Sequence, residues 1–125
     1  MLNRHEYRER IMNSLYQHLL LNKDLEVCFI NNISIEDEDD YYLIIKNDLL
    51  KNENIYISEI SKYLNNWTFD RLDYIEQSIL LLAISELKQN VNDKAIVIDE
   101  AVNLAQKYCG VDAYKYINGV LDNLC

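Results

Sequence analysis

The residues of this chain that could do chemistry are few in kind. Two histidines, His5 and His18, stand 13 positions apart with no ligand partner at a useful spacing. The Glu-x-x-His motif from which helical bundles build di-metal centres does not occur. The three cysteines, Cys28, Cys109 and Cys125, are odd in number and scattered, which fits neither a disulfide framework nor a zinc pattern. The acidic run Glu36 to Asp40 lacks the alternating carboxylates and central glycine of a calcium loop. It suits the start of a helix, where negative charge meets the positive end of the dipole. There is no phosphate-binding glycine loop and no nucleophile elbow. The pattern points to a binding protein rather than an enzyme, with no cofactor or metal.

Charge says where binding could occur. The chain carries 12 Lys/Arg against 21 Asp/Glu, a net charge of −9. Residues 1–23 hold four Lys/Arg against two Asp/Glu, so the only basic stretch is the N-terminus. Arg4, Arg8 and Arg10 fall in the first turns of a helix, the end at which the dipole disfavours cations. Either a binding role or simple solvation accounts for them. An acidic body repels nucleic acid on average, so any RNA contact must be local and salt-sensitive.

The elements that must position these residues are helical. Of 125 residues, 50% are hydrophobic, none is proline, and the only glycines are Gly110 and Gly119. Hairpin turns want glycine, so composition favours an all-α protein of one domain, residues 1–125. Apolar spacing predicts helices over 4–21, 24–31, 38–52 and 54–65, with "NEN" at 52–54 as a break. A helix within 65–90, capped by Thr68 or Asp70, is apolar all round at Leu80–Ile84, the mark of a central helix. Trp67 is expected to pack against the bundle. Helices over 94–108 and 113–124 follow, joined by a turn in which Gly110 suits a left-handed C-cap. Gly119, inside the last helix, suggests a partner backbone close by. No signal peptide and no long apolar run is visible, which implies a soluble, reduced, cytoplasmic protein with no membrane partner.

The segment "IDEAVNLAQKYCGVDAYKYINGVLD", 98–122, closely resembles the C-terminal signature of the NusB transcription antitermination family. "RLDYIEQSILLLAISEL", 71–87, and "RERIMNSLYQ", 8–17, resemble two further family blocks, in family order. The resemblance departs at the arginine-rich start, which Glu6 and Glu9 interrupt, and at Leu81, where arginine is frequent.

The resemblance implies an all-α fold of about seven helices in two small packed bundles. It implies binding of boxA-type single-stranded leader RNA together with NusE, which is also a small-subunit ribosomal protein. That pair joins other Nus factors on RNA polymerase to suppress premature termination, notably in ribosomal RNA operons. Arg4, His5 and Arg8 match the basic start, and Lys115, Tyr116 and Asn118 offer a charge, a ring and an amide. Single-stranded RNA is held by cations on phosphates and by rings under bases, so these six are the expected RNA contacts. Tyr16 and Glu76 match the NusE-facing positions. Core packing is the alternative role for Tyr16, Tyr116 and Asn118. A protein-interaction module of this fold without RNA function is the alternative for the whole chain. A NusB-like domain of a cytosine methyltransferase fits less well, since 125 residues leave no room for a catalytic domain. Monomer and homodimer both stay open.

Overall fold

The computed structural model describes residues 2–65, 67–110 and 112–124. Six α-helices run through them: α1 (Arg4–Leu21), α2 (Leu25–Asn32), α3 (Asp40–Ser61), α4 (Tyr74–Lys88), α5 (Lys94–Tyr108) and α6 (Ala113–Asn123). Short 3-10 turns occupy Ile35–Asp37 and Phe69–Arg71. The described residues contain no strand, as the composition predicts.

Short polar side chains start the helices. Asn3 Oδ1 accepts from the Glu6 N–H at 2.8 Å, and Glu6 Oε1 accepts from the Asn3 N–H at 3.0 Å. This reciprocal box satisfies two donors that the first turn of α1 leaves open. Asp24 and Asp39 cap α2 and α3. α4 begins one turn later than the sequence suggests. Its cap is Asp73, whose N–H donates to Glu76 Oε1 at 3.2 Å. Thr68 and Asp70 belong to the 3-10 turn that precedes it.

Where the pattern predicts two helices over 38–65, the chain forms one α-helix of 22 residues. Asn52–Asn54 do not break it, because two of the three have partners that hold them in helical register. Asn52 donates to Asp48 Oδ1 at 2.8 Å, one turn back. Glu53 pairs with His18 of α1 at 2.8 Å. One bond within the helix and one tertiary contact thus override a modest propensity cost. The buried Asp48 carboxylate also accepts from the Tyr56 hydroxyl at 2.7 Å, Ser85 Oγ at 2.6 Å and Gln89 Nε2 at 2.9 Å. Among the described residues no cation pairs with it; neutral donors replace its lost water and tie α3 to α4.

α4 is the hub. Gln77 through Glu86 are all buried, and the helix packs against α1, α3, α5 and α6. α1, α2 and α3 form one bundle and α5 and α6 the other, with α4 common to both. Each fully buried leucine or isoleucine of α4 contributes about 1.5–3 kcal/mol of hydrophobic stabilisation. The core formed this way is continuous from Tyr7 to Leu121.

Both glycine expectations fail. Neither Gly110 nor Gly119 has positive φ, and a Cβ at either would meet nothing within 4 Å. The left-handed positions belong to Asn22 (φ 54°) and Asn90 (φ 53°), whose short amides tolerate that region. No backbone presses on Gly119, which lies exposed on α6.

Two stability outcomes follow. Gly119→Ala is expected to raise the unfolding free energy by about 0.5–1 kcal/mol, the helical cost of glycine. Urea denaturation checks this, and a loss of stability would restore the close-backbone explanation. His18 has both ring nitrogens facing acceptors: Nε2 lies 2.8 Å from Glu53 Oε2, and Nδ1 lies 2.6 Å from the Lys23 carbonyl oxygen. Only the protonated ring satisfies both. The Glu53 hydrogen bond raises the His18 pKa above its usual 6.5, against the effect of burial. The resulting stability is complete below the unfolded value and disappears as pH rises through the raised folded value. His18→Gln should therefore lower the urea midpoint at about pH 6 and matter far less at about pH 9.

Candidate nucleic-acid interface

α1 runs antiparallel to α4, and this fixes which functional candidates meet. Arg8, near the start of α1, lies against Glu86 near the end of α4. Leu19, near the end of α1, lines a surface depression with Tyr74 and Gln77 at the start of α4. Arg4, His5 and Arg8 therefore sit at one end of the pair, and Tyr16 and Glu76 toward the other. Tyr116 of α6 is beside Glu76. Ten residues separate Glu76 from Glu86, about 15 Å of helix. Along α4, the Arg8 contact and the Tyr116 contact are thus separate, and Tyr116 keeps company with the expected partner contacts.

At the α1 start, each cation has a different fate. Arg8 is 4% exposed. Its Nε and Nη2 donate to Glu86 Oε2 and Oε1 at 2.9 and 3.0 Å, and Nη1 lies 3.7 Å from Glu100 Oε2. Burial opposes its charge, but the bidentate bond to Glu86 outweighs that and raises the pKa. The expectation that Arg8 meets RNA phosphate gives way: its guanidinium is engaged inside the protein. Arg4 is exposed and lies 4.0 Å from the centre of the Tyr41 ring, a cation–π contact that orients it. His5 is exposed, 3.4 Å from Glu9 Oε1 and 3.9 Å from Glu100 Oε2. Lys107 Nζ donates to Glu9 Oε2 at 2.8 Å, and the Tyr108 hydroxyl donates to the same oxygen. These two bonds hold the Glu9 carboxyl below its usual pKa.

At the other end, Lys115 and Asn118 are exposed, with Lys115 Nζ 3.4 Å from Asp112 Oδ1. Tyr116 is half-buried. Its hydroxyl is enclosed without a hydrogen-bond partner, and burial, reinforced by Glu76, raises its pKa. Its ring joins Tyr63, Trp67, Arg71, Glu76 and Gly119 around a groove of about 660 Å³. Trp67, expected to pack, is 59% exposed on this groove. Tyr16 and Glu76 are half-buried.

Sequence reading missed Glu86, Glu100, Lys107 and Tyr108. Glu86 carried a readable signal: a carboxylate just after the all-round apolar stretch Leu80–Ile84 needs a buried partner. Among the described residues, no cluster of three or more His, Cys, Asp or Glu could hold a metal ion. No helix there is long and apolar enough to cross a membrane. Cys28 and Cys109 are unbridged, and Cys125 lies outside the described residues.

Comparison with known proteins agrees with this architecture. The model of the NusB family matches residues 5–125. The transcription antitermination protein NusB of Campylobacter hominis is 32% identical over 131 aligned residues, covering 99% of this chain and 97% of the relative. That of Nitratiruptor sp. is 34% identical, covering 98% and 91%. Among solved structures, T. maritima NusB superposes with a TM-score of 0.87 at 26% identity, over 98% of this chain and 90% of that one. A chain from a crystal structure of antitermination factors NusB and NusE in complex with double-stranded RNA gives 0.83 at 24% identity, over 97% of this chain and 94% of that one. With nearly its whole length matched in sequence and in fold, the chain belongs to the NusB family.

Proposed function

We propose that this protein is a transcription antitermination factor of the cytoplasm. It binds boxA-type leader RNA jointly with NusE and, through other Nus factors, acts on RNA polymerase. The observation that carries the reading is the family match over residues 5–125, with relatives named transcription antitermination proteins across nearly their full length. A relative of the same fold crystallised with NusE and RNA supports the choice of partners. In this reading the protein acts by binding, without catalysis or cofactor, as one domain.

The exposed groups suit a short grip on RNA. Arg4, steadied on Tyr41, supplies the cation at the start of α1, with His5 beside it as a hydrogen-bonding ring. Lys115 and Asn118, with the Tyr116 ring edge, form a second contact on α6, beside the start of α4. Tyr16 and Glu76, at that second end, face NusE. A body of net charge −9 repels the rest of the strand. The basic partner therefore supplies most phosphate contacts, and affinity without it is weak. The competing reading, an interaction module without RNA function, draws on the withdrawal of Arg8 into the core.

Titration of labelled boxA RNA with and without NusE at several salt concentrations separates the two. Weak binding alone and much tighter binding with NusE are expected. Arg4→Ala and Lys115→Ala should each lower the salt slope by about 0.7, the value for one phosphate contact on a single strand. Nanomolar binding without NusE would contradict the shared grip, and no RNA dependence in any complex would favour the interaction module.

A further inference from the structure

The Glu9 carboxylate is set among donors that suit a phosphate. Lys107 Nζ reaches its Oε2 at 2.8 Å, the Tyr108 hydroxyl donates to the same oxygen, and His5 Nε2 lies 3.4 Å from its Oε1. An ammonium, a phenol and an imidazole converging on one anion form a typical backbone-phosphate cradle. The cradle is at the surface: the side chains of Lys107 and His5 are 54% and 49% exposed. It borders Arg4 and Arg8 on the same end of α1, and Glu100 is the other carboxylate facing His5, at 3.9 Å.

We propose that His5, Lys107 and Tyr108 form a binding site for one RNA backbone phosphate, occupied in the RNA-free protein by the Glu9 carboxylate of the same chain. The inference rests on the RNA-binding reading above and adds a self-masking contact to it. RNA must displace Glu9 before Lys107 can meet a phosphate. Glu9 interrupts the arginine-rich start at the position that covers this cradle. The contact costs little to open, because solvent screens so exposed an ion pair. The masking therefore tunes affinity and does not abolish it.

The test is a titration of boxA-type RNA into the NusE complex of the full chain, with thermal unfolding of every variant in parallel. Glu9→Gln keeps an acceptor for Lys107 and Tyr108 but removes the negative charge. It is expected to tighten RNA binding about two- to fivefold and to steepen the salt slope by about 0.7. Adding Lys107→Ala should abolish both gains. If Glu9→Gln folds poorly, Lys107→Ala alone decides: weaker RNA binding supports the cradle, and unchanged binding overturns it. Parent-like affinity and slope for Glu9→Gln, while Arg4→Ala still weakens binding, would make Glu9 a strut between α1 and α5 and sink the inference alone. No RNA binding by the parent or any variant would remove the RNA reading and this inference together.

Discussion

A buried charged pair between α1 and α4 governs how this protein presents its N-terminus. Arg8 and Glu86 meet through two parallel hydrogen bonds, with both side chains at or below 5% exposure. Such a pair gains little net stability over well-packed apolar groups, because both ions lose their water. It does make any other register of α1 on α4 expensive, since a slip would strand one charge in the core. With Arg8 turned inward, helical geometry decides its neighbours. Arg4, one turn earlier, lands on the Tyr41 ring, while His5 and Glu9 reach toward Glu100 and Lys107 of α5. One interior bond thus arranges the exterior edge.

The same antiparallel pairing divides the labour of the surface. The α1 start gathers cations and the donors around Glu9. The α4 start gathers Glu76, Tyr116 and the aromatic groove that Gly119 leaves open. A strand lying across both would meet a cationic grip at one end and rings at the other, with acidic surface around them. That arrangement favours a partner that brings positive charge, so the proposed RNA and NusE contacts form one composite surface.

Much of the fold was legible in the chain. The apolar run at Leu80–Ile84 announced the central helix, and the absence of proline with only two glycines announced an all-helical protein. The merging of two expected helices into α3 was not legible, because it depends on Asp48 and His18 reaching Asn52 and Glu53 across space or one turn away. The glycines misled for a related reason: Asn22 and Asn90 took the left-handed positions that glycine usually fills. At the site, residue types showed which groups could touch RNA but not their burial. Arg8 looked like Arg4 in sequence, and only the position of Glu86 on the facing helix distinguishes them. Lys107 and Tyr108 gave no signal, since their meaning lies in a contact with a residue about a hundred positions away.

The most direct test of this account is a double-mutant cycle on the interior pair, read by urea unfolding. Arg8→Met should cost about 3–5 kcal/mol by leaving the Glu86 charge buried without its cation, Glu86→Leu should cost less because Glu100 still faces Arg8, and the double variant should recover most of the Arg8→Met loss. The double variant, once folded, should also bind boxA RNA in the NusE complex with the parent's salt slope. Stability unaffected by Arg8→Met, together with a slope reduced by about one phosphate's worth, would contradict the account and return Arg8 to the RNA surface.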